Sequence, residues 1–146
     1  MGLSVYSLSL VQAMIGLCFL TLVIWLLMVI TRIPAMSKAR IDPQSAAHTR
    51  TLQGRLPDSV MQVSDNYNHL VEAPTVFYAI SVAIVLLGKA DWIDQACAWS
   101  FVGLRAAHSA VQVTFNRVTV RFILFALSWI VLGMTIVRAA LTAFSL

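Results

Sequence analysis

The chain has 146 residues, of which 60% are hydrophobic and only 11% are charged, and its mean hydropathy is +0.85. In soluble domains about a quarter of the residues are charged, so the polar surface of such a domain is missing here and lipid is the expected solvent. The net charge of +4 comes from basic residues scattered between apolar blocks, which excludes the dense basic face of a nucleic-acid-binding protein. We therefore expect an integral membrane protein whose main partner is the lipid bilayer, with no nucleic-acid partner.

The first predicted helix runs from about Val5 to Ile30, longer than the roughly 20 residues that span a bilayer. It is expected to stop where Arg32 and Pro34 follow. No basic stretch precedes it and no small-residue cleavage site follows, so we expect a retained helix rather than a signal peptide.

Three further helices are predicted at about residues 59–88, 91–116 and 119–144. Ser59 followed by Gln62 fits a capping box at the start of the second helix, and Gly88 suits its C-terminal end. Asp91 is expected to cap the third helix, with Asp94 adding negative charge to its first turn. Short connections predict a single all-α domain over residues 1–146, an integral membrane four-helix up-down bundle.

Basic residues gather in the connections between helices 1 and 2 and between helices 3 and 4, namely Arg32, Lys38, Arg40, Arg50, Arg55, Arg117 and Arg121. The opposite side carries Lys89 and Arg138. By the positive-inside rule, both termini of this multi-pass protein face away from the cytoplasm.

Two polar stripes interrupt the apolar helices, and ionisable groups within a span need a partner or a cavity. At 100° per residue, the stripe of helix 3 fills an arc of about 100° and comprises Arg105, His108, Ser109, Gln112 and Asn116. The stripe of helix 2 comprises Asp65, Asn68, His69, Glu72 and Thr75. We expect Glu72, the only glutamate, to face Arg105 or His108 across a helix interface.

Two interpretations of these stripes stay open. They are either a buried ion pair with interhelical hydrogen bonds, or the lining of a cavity for an anionic, polar headgroup, with Arg117 and Arg121 at its mouth. No phosphate loop or nucleophile elbow is present. The three histidines, His48, His69 and His108, lack the helical spacing of a zinc site, so no metal is predicted.

Two segments carry a family resemblance: SDNYNHLVEAP at residues 64–74, followed by TVFY, and GLRAAHS at residues 103–109, continuing through QVTFNR to Arg121 and Phe122. With the four-helix layout, they resemble the MAPEG family, the membrane-associated proteins in eicosanoid and glutathione metabolism, and more narrowly its uncharacterised bacterial branch. The resemblance covers nearly the whole chain. It implies a protein of the bacterial inner membrane and a homotrimer with sites between subunits that open toward the cytoplasm.

The resemblance also implies a reaction. Characterised members bind glutathione as a cosubstrate, and an arginine stabilises its thiolate, which attacks a lipophilic electrophile or reduces a lipid hydroperoxide. This is chemically reasonable, because a nearby cation lowers a thiol pKa and the thiolate is the nucleophile.

By position, Asn68 and Glu72 match the residues of helix 2 that contact the polar groups of glutathione, and Arg105 matches the helix 3 arginine. Arg117 or Arg121 is the nearest candidate for thiolate stabilisation. His108 and Gln112 stand about where glutathione-binding tyrosines are expected. The remaining cosubstrate-binding candidate, at the end of the helix 3 stripe, is Asn116.

Two alternative functions stay open. Asn68 lies four residues before Glu72, where catalytic members have three, and Ser64 stands in place of an arginine. These departures favour a non-catalytic lipid-binding or scaffold protein of the same family. A small proton-coupled exporter is the third alternative, although such exporters carry a glutamate in helix 1, which has no carboxylate here.

Overall fold

Four α-helices form the computed structural model of the chain, which describes residues 2–42, 44 and 52–144. The predicted basic residue Arg50, together with Pro43 and His48, lies outside this part. The helices are α1 (Val5–Lys38), α2 (Asp58–Leu87), α3 (Trp92–Val113) and α4 (Val118–Phe144). The described residues contain no strand, and the all-α four-helix prediction is confirmed.

The first helix is longer than predicted, because it continues through Pro34 to Lys38. A proline inside a helix removes one backbone donor, and packing beyond it compensates for that loss. Ala35 and Met36 lie against a small apolar cluster from the α1–α2 connection and the start of α2, formed by Ile41, Leu52, Leu56 and Val60.

The ends of α2 differ in how well the sequence predicts them. The helix begins at Asp58, with Pro57 before it and no side-chain hydrogen bond to the cap, so the predicted capping box of Ser59 and Gln62 is wrong. Gly88 ends the helix in the left-handed conformation, with φ of 67°, as glycine readily does at this position.

The third helix begins as predicted and ends early. The Asp91 carboxylate accepts hydrogen bonds from the backbone N–H groups of Ile93 and Asp94, and the backbone N–H of Asp91 donates in return to the Asp94 carboxylate, which completes a capping box. The helix stops at Val113, so Asn116 lies in the following turn with φ of 46°. Its backbone N–H donates to the carbonyl of Val111 at 2.8 Å, and asparagine tolerates this left-handed conformation.

Contacts between helices fix an up-down arrangement. The Cys18 thiol donates to the Tyr78 hydroxyl at 3.4 Å, and the Trp99 indole donates to the Ser9 hydroxyl at 3.0 Å. Further along α1, Met36 packs near Val60 of α2 and Gly16 lies beside Val102 of α3. Consequently α1 runs antiparallel to α2 and parallel to α3. We call the end with both termini and the α2–α3 turn the terminal end, and the opposite end the loop end.

The apolar core lies along the inner faces of all four helices. Phe77 of α2 and Phe101 of α3 stack at its centre, with ring centroids 4.6 Å apart. Leu10 and Leu17 of α1 and Leu132 of α4 close the core around them, and each is at most 1% exposed.

The outer surface is that of a membrane protein. Three of the helices, α1, α2 and α4, are long and apolar enough to cross a bilayer. Their outer faces expose large apolar side chains, among them Phe19, Ile30, Leu86, Ile130, Val137 and Leu141. Exposed apolar surface on this scale is typical of contact with lipid. α3 is not among these three spans, and most of its polar side chains are buried inside the bundle.

An ion-pair cluster ties α4 to the α2–α3 turn at the terminal end. The Arg138 guanidinium donates to Asp91 at 2.7 Å and to Asp94 at 3.0 Å. Burial acts to raise the pKa of the Asp91 carboxyl, but the backbone N–H of Asp94 and the Arg138 guanidinium together hold that pKa below its ordinary value. The stability that Asp91 contributes is therefore present above its unfolded-state pKa and is lost as pH falls through the lower folded-state pKa.

We predict that Arg138→Met lowers the free energy of unfolding by about 2 kcal/mol, because it leaves the buried Asp94 carboxylate without its cation. Thermal unfolding of the purified protein in detergent measures the effect. Lys89→Met is the matched control, since Lys89 is an exposed cation on the α2–α3 turn, next to the cluster. The melting temperature of this variant should stay near that of the wild type. Equal melting temperatures for the two variants would contradict the prediction.

Candidate functional site

A buried polar seam joins α3 to α2 in the loop-end half of the bundle. We define it by five side chains that are at most 3% exposed: Asn66, Arg105, His108, Ser109 and Gln112. The Arg105 guanidinium donates through Nη2 to the backbone carbonyl of His69. One helical turn further along, the Ser109 hydroxyl donates to Asn66 Oδ1 at 3.1 Å.

Several polar atoms of the seam have no hydrogen-bond partner among the described residues. They are Asn66 Nδ2, Arg105 Nε and Nη1, His108 Nδ1, and both amide atoms of Gln112. A buried polar group that stays unpaired costs about 1–3 kcal/mol. The seam therefore carries buried polar groups that its own chain leaves unpaired, at a cost in stability.

Within one chain the two predicted stripes meet at His69, whose ring contacts that of His108, and not at Asn68 or Glu72. Asn68 and Glu72 are exposed on the outer face of α2, and the Glu72 carboxylate lies 3.8 Å from His69 Nδ1. Among the described residues Glu72 forms an ion pair with neither Arg105 nor His108, the two partners expected for it, and lies beside His69 instead. The reason is rotation: at 100° per residue, Glu72 points about 200° away from Leu70, which is buried against the core.

A cavity of about 230 Å³ opens between α2, α3 and the start of α4, and we call it the imidazole pocket. It is lined by His69, His108, Val118, Arg121, Phe122 and Phe125. The two imidazole rings meet edge to face, with centroids 6.0 Å apart and planes at 82°. The Phe125 ring also lies near that of His108, at a ring-centroid distance of 6.4 Å.

The turn after α3 places Arg121 in this pocket. Its Nη1 donates to Asn116 Oδ1 at 2.6 Å, and its Nε is buried without a partner among the described residues. Arg117 is exposed on the turn itself and does not line the pocket. The structure therefore separates the two arginines that the sequence left as alternatives.

Of the other predicted site residues, the structure brings His108 into the pocket and buries Arg105 and Gln112 in the seam, while Asn68 and Glu72 face outward. Sequence reasoning missed Asn66 and the pocket phenylalanines. For Asn66 a signal existed, because it falls in helical register with the buried residues Val63, Leu70 and Phe77. A polar residue on a buried face is informative in this way.

A guanidinium, two imidazoles and two aromatic rings give the pocket a mixed character. The guanidinium can stabilise an anion in a place where apolar walls keep water scarce, which strengthens the interaction. The rings accept an apolar group beside that anion. Such a site suits a polar, anionic reactant next to a lipophilic one.

Comparison with known protein families supports the family resemblance of the sequence. A model of the MAPEG family matches residues 10–141, nearly the whole chain. No curated protein and no solved structure matches the chain.

We predict that Gln112→Met raises the thermal stability of the ligand-free protein, because it removes two buried polar atoms that lack partners, at about 1–3 kcal/mol each. Differential scanning fluorimetry in detergent measures this shift. Gln95→Met, at a half-buried position on the same helix, is the control and should change little. A clear loss of stability in Gln112→Met would mean that the amide is paired in the native assembly.

Proposed function

The chain belongs to the MAPEG family, and on that premise we propose that it is an integral membrane enzyme that uses glutathione, or a similar thiol, as a cosubstrate. It acts on lipophilic electrophiles or lipid hydroperoxides. The observation that carries this proposal is the position of Arg121, whose guanidinium lines a largely apolar pocket beside two imidazoles.

The chemistry requires a thiolate, since a neutral thiol is a poor nucleophile. A fixed cation next to the sulfur favours the ionised form and also stabilises charge that develops during attack. Arg121 is held for this task by the amide of Asn116, at 2.6 Å. We assign thiolate stabilisation to Arg121. Arg117, which is exposed on the turn, adds positive charge near the mouth of the pocket.

The polar part of the cosubstrate is assigned to the outer face of α2. Asn68 and Glu72 are exposed there, in the half of the helix that leads toward the loop end. Polar groups at this depth are costly against lipid, and a neighbouring subunit of a homotrimer would cover them. In this arrangement Arg105 supports the site from inside, because it holds the carbonyl of His69, the residue next to Asn68.

The lipophilic reactant reaches the pocket from the bilayer. Val118 and Phe122 line the pocket and are also 72% and 66% exposed on the surface of the bundle. The polar cosubstrate enters at the loop end. The excess of basic residues in the connections there supports a cytoplasmic position for this end, and we propose that the membrane is a bacterial inner membrane, as the family resemblance implies. Both termini then face away from the cytoplasm.

A second candidate is a non-catalytic lipid-binding or scaffold protein of the same family. The observation that favours it is the apolar character of most of the pocket wall, formed by Val118, Phe122 and Phe125. His108 and Gln112, in place of tyrosines, are consistent with it too. It predicts bound lipid after purification and no thiol-dependent turnover.

We predict that Arg121→Ala lowers the rate of glutathione conjugation with a lipophilic electrophile by about 100-fold or more, the usual effect of removing one preorganised charge-stabilising group. Arg117→Ala is the matched variant from the same turn and should lose far less. Stopped assays on detergent-solubilised protein, with thermal unfolding as a check on folding, measure both. Full activity of Arg121→Ala would refute the assignment.

We predict that glutathione binds saturably to the solubilised protein and that Glu72→Gln and Arg105→Ala each weaken this binding by at least about tenfold, equal to 1.4 kcal/mol. Isothermal titration calorimetry measures the Kd. Asp65→Asn, which removes another exposed carboxylate of α2, is the control. Absence of binding at high glutathione concentration would leave the lipid-binding candidate in the lead.

A further inference from the structure

Three groups that can carry a proton connect the outer face of α2 to the inside of the imidazole pocket. The Glu72 carboxylate, 75% exposed, lies 3.8 Å from Nδ1 of His69, whose side chain is 40% exposed. The His69 ring in turn meets the ring of His108 at a centroid distance of 6.0 Å. His108 is only 3% exposed, so exposure falls steadily along the series.

The inner end of this series is free to act on a ligand. The ring of His108 lines the pocket together with Arg121. Its Nδ1 is shielded from solvent and has no hydrogen-bond partner among the described residues, so Nε2 is the ring nitrogen left to face the pocket. An imidazole nitrogen that faces a cavity has the geometry of a proton acceptor for a group bound in that cavity.

The charges around His108 give the series a direction. Two guanidinium groups act on its ring, Arg105 from its own helix and Arg121 from α4, and His69 faces it from α2. A proton on His108 is repelled by both guanidinium groups. The only carboxylate in the series, that of Glu72, lies at the opposite end, so the field moves a proton outward.

We propose that His108 takes the proton of the cosubstrate thiol and that His69 and Glu72 relay it to the outer face of α2. This inference rests on the proposed thiol-dependent function and names the base that it requires. The S–H bond breaks, the proton goes to His108 Nε2, and the electron pair stays on sulfur beside Arg121. One water molecule can bridge the two rings.

When the electrophile is a conjugated alkene, the relay also supplies the proton that completes the addition. The thiolate forms a C–S bond with the β-carbon of the C=C bond, and the π electron pair moves to the adjacent carbon. That carbon takes one proton back from the relay. Thiol and alkene thus combine into a thioether, with no oxidant or reductant consumed.

The test follows thiolate formation directly, by the ultraviolet absorbance of the bound thiolate after rapid mixing of the solubilised protein with glutathione. We expect His108→Gln to slow this step by about 100-fold, the lower limit for a positioned proton-transfer group, with little change in the Kd from calorimetry. Added imidazole should restore part of the rate, which a purely structural role of His108 would not allow.

His69→Gln provides the second variant, because its half-exposed position makes a folding defect less of a concern. It should also slow thiolate formation without loss of binding. Asp65→Asn, outside the relay on the same helix, should form thiolate at the wild-type rate. Glu72 is not substituted in this test, since it also contacts the cosubstrate in the proposed function.

The outcomes separate the two proposals. Wild-type rates in both histidine variants, with glutathione bound and ionised, would overturn the relay and leave the proposed function intact. If the wild-type protein binds no glutathione or forms no thiolate, the proposed function fails, and the relay fails with it.

Discussion

The guanidinium of Arg105 is the constraint on which the arrangement of the bundle depends. It is fully buried in the middle of α3, too far from either end of the helix for its head to reach water. A charge in that position must find oxygen atoms inside the protein. It finds the carbonyl of His69, and the Ser109–Asn66 bond lies one turn away in the same antiparallel register. The position of α2 along α3 is thereby set by polar contacts as well as by the stacking of Phe77 on Phe101.

That register decides which groups meet. Because Asn66 and Leu70 face inward, His69 turns toward α4 and reaches the imidazole pocket, while Asn68 and Glu72 turn away from the chain's own core. The pocket is completed by the short turn after α3, in which the left-handed Asn116 brings α4 back so that its first turns carry Arg121 and Phe125 to His108. The seam that pairs a buried charge thus also positions the side chains that line the imidazole pocket.

The sequence predicted the helices well, because hydropathy and capping residues act locally. Asp91 and Gly88 were recognised from their own chemistry, whereas the ends of α1 and α3 depend on distant packing and on a turn with positive φ. The inward direction of the α3 stripe was predictable, since polar groups in an apolar helix avoid lipid. The facing side of α2 was not, because polar residues lie on both of its faces and only contact with α3 shows that Asn66 is buried and Asn68 is not. The choice between Arg117 and Arg121 likewise depended on the turn geometry, which local patterns do not reveal.

The cluster of Arg138 with Asp91 and Asp94 has a consequence for how the protein is made. The two carboxylates emerge from the ribosome with the α2–α3 turn, whereas their cation follows more than 40 residues later, near the end of α4. During synthesis the hairpin of α2 and α3 therefore enters the membrane with unneutralised acids at its tip. Insertion of the last helix both fills the groove beside α3 and delivers the missing positive charge. The terminal end is thus completed last, when α4 supplies the guanidinium that holds Asp91 and Asp94.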